Sequence, residues 1–275
     1  GEVGSGEVVM TPGSPVQSGR YEFNIGTAGS TSLVLQTILV PLLLTGEESG
    51  AKIVGGTHNP LAPSSDYLRT TYLRAAELSD HLGLDVERVG FFPRGGGRIS
   101  VAFRPRPLSP ISTVERGERE LLTATVTVSD SLPVHILDRA RTEIEGRAQK
   151  SGWPLQIVLA RVPTDSPGVA IHLDAHYSGG VAGFTGLGRK GLPTERVVAE
   201  AWAELEAFEA TDAAVDEHLA DQLLLSMLFA DGPSEYVTNR VTEHLRTMAW
   251  LVSQFGVGSV AIDEETGRVR VTPGG

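Results

Sequence analysis

Leu33-Val34-Leu35-Gln36, continued by the apolar run Ile38–Leu44 and by Gly46, lines up without a gap on Leu219-Ala220-Asp221-Gln222, Leu224–Ala230 and Gly232. One glutamine in an apolar helix is unremarkable. The same glutamine at the same place in two copies, each closed by glycine, argues for a duplicated unit, and internal repetition decides architecture before any single element does. Outward from the first copy, Tyr21–Ile25 alternates as a strand, Gly26–Ser30 turns, and Ser30–Leu44 reads as a largely buried helix. Ala51–Val54 follows as a short strand ended by Gly55-Gly56. Ser64–Leu82 carries Tyr67, Leu68, Tyr72, Leu73, Ala76, Leu78 and Leu82 at helical spacing, and Val86–Phe92 with Arg98–Phe103 reads as a hairpin around Pro93–Gly97. The second copy runs as a helix over Glu217–Ala230, a strand over Glu235–Asn239, a helix starting at His244, and a hairpin of Val257–Ile262 and Arg268–Thr272. Leu245-Arg246-Thr247 opens its second helix as Leu68-Arg69-Thr70 opens the corresponding helix of the first.

Between the copies the character changes. Leu121–Val128 and Leu155–Arg161 read as strands, Pro133–Lys150 and Thr194–Ala210 as amphipathic helices, and Val169–Tyr177 as a half-buried strand. The Gly-rich stretch Gly179–Gly188 reads as a loop. The expected fold class is therefore α/β (α+β): repeated strand-helix-strand-helix-strand-strand units with a small inserted α/β domain. Residues 1–114 and 213–275 would form the repeated core, its first repeat incomplete, and residues 115–212 the insert.

The chain has 275 residues, 40% of them hydrophobic and 21% charged, enough to bury a substantial core. It has no cysteine, which excludes disulfides, thiolate metal sites and a cysteine nucleophile. No apolar run reaches the roughly 18 residues of a membrane span, and Gly1-Glu2-Val3-Gly4 shows no signal segment, so a cytoplasmic location without a membrane partner is expected. A net charge of −11 argues against broad nonspecific nucleic-acid binding. Arg88, Arg94, Arg98, Arg104 and Arg106 nevertheless lie in a stretch free of acids.

Several residues suit chemistry. His244 opens a helix, where an imidazole nitrogen can attack phosphorus and nearby N–H groups can hold phosphate. From spacing alone, a surface histidine in a first helical turn accounts for it at least as readily. His218 and Asp221 share one face of a helix start; acids favourable to the helix dipole explain the pattern equally. Gly55-Gly56-Thr57-His58-Asn59-Pro60 permits close backbone approach, with His58 a candidate for metal or phosphate, but it is not a Walker A sequence. His172, Asp174 and His176 project from one strand face and suit a transition metal, though core against solvent explains the same alternation.

Taken together, these segments resemble a known family. Tyr21-Glu22-Phe23-Asn24-Ile25-Gly26-Thr27-Ala28-Gly29-Ser30 with Leu33–Thr37, Gly55–Pro63, Gly90–Gly97, Gly183–Gly191, His218–Gln222 and His244–Thr247 are similar, in this order, to the RNA 3′-terminal phosphate cyclases. The resemblance implies a ligase-type enzyme that uses ATP and a divalent metal (Mg²⁺ or Mn²⁺) to turn an RNA 3′-phosphate into a 2′,3′-cyclic phosphate. It implies that His244 takes AMP from ATP, and that Gln36, Pro63, His218, Leu219, Ala220, Asp221 and Gln222 line the ATP site. His218 stands where relatives often carry tyrosine, which suggests packing against adenine. The motifs assign no metal ligand; Arg94 and Arg98 are candidates for RNA phosphate contacts. The family's opening Gly-Glu-Gly-Gly-Gly segment and its basic continuation find no match, so the resemblance leaves a first repeat unaccounted for. The alternative is a catalytically silent, RNA-binding relative, against which the presence of His244 argues. An enolpyruvyl transferase of related fold would need lysines and arginines around a bisanionic substrate, and of lysines the chain has only Lys52, Lys150 and Lys190.

Overall fold

The computed structural model describes residues 4–7, 9–11 and 13–274; Gly1–Val3, part of the segment read as carrying no signal, lie outside them. The first unit begins with β1 (Arg20–Asn24), α1 (Thr31–Leu43) and β2 (Ser49–Gly55). Ser30 caps α1, its hydroxyl accepting from the Leu33 N–H at 3.3 Å. A helical run follows as α2 (Ser65–Tyr67), a π-helical stretch over Leu68–Tyr72, and α3 (Leu73–Ala75), then β3 (Leu82–Arg88) and β4 (Gly97–Phe103). The expected helix to Leu82 stops seven residues early, because Ala76 leaves the helix and Glu77 takes φ 54°. Leu78 and Leu82 are buried all the same, so the apolar spacing there reports burial and not helix.

The second unit contains β5 (Ser112–Thr113), α6 (Leu219–Leu228), β10 (Ser234–Val237), α7 (Glu243–Phe255), β11 (Gly258–Asp263) and β12 (Arg268–Pro273). The first sheet has strand order β1-β2-β4-β3 and the second β5-β10-β12-β11. In each, the first two strands are parallel and the rest antiparallel. The two units thus share one topology, and a single apolar core runs through both, from Leu35, Leu39, Ile53 and Phe103 to Leu223, Met227, Tyr236 and Val271. The paired glutamines of the repeat meet: Gln36 Nε2 donates to Gln222 Oε1 at 2.6 Å.

Between β5 and α6 run β6 (Arg119–Ser129), α4 (His135–Ser151), β7 (Leu155–Val162), β8 (Val169–Tyr177), β9 (Gly180–Leu187) and α5 (Thr194–Glu209), with a sheet of order β7-β6-β8-β9 and a separate core around Trp202, Phe208 and Ile144. Two expectations are corrected here. Gly180–Leu187 is a strand and not a loop, paired along its length with β8. Its glycines serve close packing: a Cβ on Gly183 would strike Thr71 and Tyr67, and one on Gly186 would strike the Val197 carbonyl. The polar face of β8 is not solvated either, since His172 is 1% and Asp174 3% exposed. That face packs on the π-helical stretch. Thr71 Oγ1 donates to Asp174 Oδ1 at 2.6 Å, and His172 Nε2 lies 3.1 Å from Thr70 Oγ1 and 3.3 Å from Thr71 Oγ1. The side chains read as metal candidates are thereby engaged by threonines, by Thr185 at His172 Nδ1, and by the His176–Asp174 pair at 2.7 Å. Buried polar groups need such partners.

Candidate active site

The start of α6 is set by Asp216, the residue that begins its main-chain hydrogen bonding. Its Oδ1 accepts from the N–H groups of His218 (3.0 Å) and Leu219 (2.9 Å) and from the Tyr67 hydroxyl (3.4 Å), and its Oδ2 from the Gly183 N–H (3.2 Å). One buried carboxylate therefore ties together the first unit, the insert and the second unit. Burial raises its pKa to about 6 despite these donors, which pull the other way. Val215 and Thr238 form a parallel bridge that brings Asn239 beside this helix start.

His218 follows, exposed; Gln222 Nε2 donates back to its carbonyl at 2.5 Å, and Gln222 Oε1 accepts from Gln36 Nε2. Gln36, Gln222 and the His218 main chain so form one chain of hydrogen bonds. Pro63 immediately precedes Ser64, whose hydroxyl caps α2 by accepting from the Tyr67 N–H at 3.1 Å. Through Tyr67 and Asp216 the Pro63 turn is coupled to the start of α6.

His244 is the second residue of α7 and is exposed. Thr242 caps that helix, its Oγ1 accepting from the Leu245 N–H at 3.1 Å, which leaves the Glu243 and His244 N–H groups as those of the first turn without an intrahelical acceptor. Asp221, in the first turn of α6, is influenced by both histidines. Burial raises its pKa, and the positive charges of His244 and His218 oppose that rise. Leu219 and Ala220 are fully buried, so any contribution they make at a site is through main chain.

A cavity of about 210 Å³ adjoins His218, lined by Phe184, Ala203, Glu204, Ala207, Asp216, Glu217 and Asn239. Burial raises the Glu204 pKa, and Asn239 Oδ1 is buried with no hydrogen-bond partner among the described residues. Phe184, Glu204 and Asn239 were not singled out in the sequence; each looks like ordinary core or surface until α5 and β9 fold over α6. A larger groove of about 600 Å³ lies on α1 and β1, bordered by residues such as Val16, Tyr21, Ile38 and Pro41. Among the described residues no charged side chain lines it.

Other candidates are placed differently. His58 is buried, with Nε2 3.0 Å from Asp66 Oδ2 and Nδ1 2.9 Å from Thr57 Oγ1, so it organises the Gly55–Pro63 loop and has no free nitrogen for metal or phosphate. Burial acts to raise the Asp66 pKa, but the hydrogen bond and charge of His58 outweigh it and hold the group near 2, against an ordinary 3.8. A depressed carboxyl stabilises above its unfolded pKa and loses that stabilisation as pH falls through the folded value. Wild type is thus expected to lose on the order of 2 kcal/mol more than Asp66→Asn between about pH 4 and pH 2, measured by urea unfolding at each pH. Parallel losses would contradict the pairing. Arg94 belongs to the turn between β3 and β4, and Arg98 to β4. Arg98 is 3.7 Å from Glu87, while Arg94 has no carboxylate partner among the described residues.

The fold and this site together define a class: a duplicated α+β unit in which an exposed histidine at a helix start stands near an acid and two linked glutamines. The sequence pattern described as RNA 3′-terminal phosphate cyclase matches residues 1–262. The chain is 35% identical to the RNA 3′-terminal phosphate cyclase of Gloeothece citriformis, covering 96% of this chain and 77% of that protein. It is 36% identical to that of Nostoc punctiforme, over 95% and 77%, and 34% identical to that of Archaeoglobus fulgidus, over 92% and 75%. The chain belongs to the RNA 3′-terminal phosphate cyclase family. No helix among the described residues is long and apolar enough to cross a membrane.

Proposed function

We propose that this protein converts an RNA 3′-terminal phosphate into a 2′,3′-cyclic phosphate at the expense of ATP, through AMP carried on His244. The observation that supports this best is an exposed histidine, at a helix start, within the electrostatic reach of Asp221. An imidazole nitrogen of His244 attacks the α-phosphorus of ATP; an N–P bond forms, the bond to the bridging oxygen breaks, and diphosphate leaves. The carboxylate of Asp221 offsets positive charge as it develops on the ring, and the free N–H groups of the α7 first turn hold phosphoryl oxygens. An oxygen of the RNA 3′-phosphate then attacks the same phosphorus and releases His244. The neighbouring 2′-hydroxyl attacks the terminal RNA phosphorus, loses its proton and expels AMP; its fixed proximity supplies a high effective concentration.

For ATP, the supporting features are the cavity beside His218, with the Phe184 ring and the Ala203 and Ala207 methyls for a flat base, and the buried Asn239 Oδ1 as an acceptor. The linked pair Gln36–Gln222 borders the same helix start, and Pro63 is assigned to the site by the family resemblance alone. Among the described residues no group of three or more His, Asp or Glu side chains is arranged to hold a metal ion. A divalent ion arriving on the triphosphate would be ligated mainly by phosphate and water, and Asp221 in the first turn of α6 is a carboxylate that could join it. The ion would offset phosphate charge there.

The direct test is incubation with ATP, Mg²⁺ or Mn²⁺ and an RNA oligonucleotide bearing a 3′-phosphate. Phosphatase-resistant, cyclic ends are expected; ends that stay phosphatase-sensitive with ATP unconsumed would refute the reading. His218→Ala is expected to raise the KM for ATP roughly tenfold, the loss of about one stacking contact, with a much smaller change in kcat. An effect confined to kcat would instead give His218 a part in the chemistry.

A further inference from the structure

A second feature lies away from the α6–α7 site, in the turn between β3 and β4. Phe92 is 66% exposed, although the chain around it is pinned on every side. Its neighbour Phe91 is buried, bridged to His58 main chain, and packed against the His58 ring with centroids 5.4 Å apart and the planes tilted by 43°. The Gly95 N–H returns to the Phe91 carbonyl at 2.9 Å, and the Arg94 N–H donates to Ser166 Oγ at 3.1 Å. Gly168 sits so close to the Phe91 ring that no Cβ fits there. The turn is thus locked against β2 and the insert while one aromatic ring is held in water. Leu61, at the tip of the Gly55–Pro63 loop that His58 joins to this turn, is fully exposed with φ 60°.

The charges around this apolar pair are unequal. Arg88 is neutralised by Asp165 at 2.7 Å and Arg98 lies 3.7 Å from Glu87, whereas Arg94, two residues from Phe92, has no carboxylate partner among the described residues, in a chain of net charge −11. A rigid exposed ring beside such a guanidinium suits a partner that offers flat apolar faces and negative charge at short intervals. Single-stranded nucleic acid has that chemistry: bases stack on aromatic side chains while cations meet the backbone. Leu61 adds a second exposed apolar side chain on the loop that His58 joins to this turn.

From this we infer that Phe92, with Leu61 and Arg94, is a base-stacking platform for an unpaired nucleotide of the RNA upstream of its 3′ end. The inference rests on the proposed RNA substrate and adds that the end must be single-stranded where it crosses this turn. Stacking of one base contributes a sequence-tolerant effect, while the single phosphate contact carries the salt dependence.

The test uses the full chain and a fluorescently labelled single-stranded RNA with a 3′-phosphate, titrated at several salt concentrations. Phe92→Ala is expected to raise Kd on the order of tenfold at every salt concentration. Phe92→Trp is expected to restore binding and to show indole quenching on addition of RNA. Arg94→Ala is expected to weaken binding and lower the slope of log Kd on log salt by about one. Blunt duplex RNA is expected to bind these variants and wild type alike. Circular dichroism confirms that each variant is folded, and ATP-dependent protein labelling is read separately, so a chain that binds RNA through Phe92 without being labelled sinks the enzymatic reading alone. Unchanged RNA affinity in Phe92→Ala, failure of wild type to bind the RNA, or a change only in self-association would overturn the platform.

Discussion

His244→Ala is expected to reduce protein-bound label from α-labelled ATP to background, with the stability of the protein within about 0.5 kcal/mol of wild type. Both halves of that expectation come from the same geometry. The ring is exposed at the second position of α7, so its removal leaves no cavity and no buried partner. Of the groups that oppose the burial-driven rise in the Asp221 pKa it is the foremost, and it stands in the first turn of α7, where the proposed reaction needs it. Transfer to RNA and ring closure both follow the labelled state, so cyclisation should fall with the label. Label at wild-type yield on the variant would move the nucleophile elsewhere.

The second large effect belongs to Asp216, a residue that touches no proposed reacting atom. Asp216→Ala is expected to destabilise the protein by about 3–5 kcal/mol, because the Gly183, His218 and Leu219 N–H groups and the Tyr67 hydroxyl lose their common acceptor in a buried place. The thermal midpoint should fall on the order of 10 °C. Asp216→Asn keeps an oxygen for the α6 N–H groups and should cost less. Since Asp216 fixes where α6 starts, the alanine variant should also label poorly even well below its melting temperature. A midpoint within about 2 °C of wild type would show that the donors find other acceptors.

The sequence disclosed the duplication because it wrote the same pattern twice, and the two glutamines that mark it meet at a separation of 186 residues. What it concealed has physical reasons. The first strand of the second unit, Ser112–Thr113, is too short to alternate, so the shared topology shows only in the pairing with β10. β9 looked like a loop because its glycines, needed where Tyr67, Thr71 and α5 approach the sheet, are also what loops are made of. His172 and Asp174 looked solvated because alternation distinguishes polar from apolar and cannot tell water from a helix that carries threonines at the right height. His58 shows the same ambiguity in a loop. For the site, the helix starts that carry His218 and His244 were legible, since caps and acids precede them. The cavity wall of Phe184, Glu204 and Asn239 was not, because three distant segments supply it.

The most direct test of the central claim is to incubate the protein with ATP and Mg²⁺ or Mn²⁺, digest it at neutral to alkaline pH, and locate AMP by mass spectrometry of the peptides. AMP on the peptide containing His244, removed by added RNA bearing a 3′-phosphate, is the expected result. AMP attached to another residue, or none at all in a preparation that still cyclises RNA ends, would contradict it.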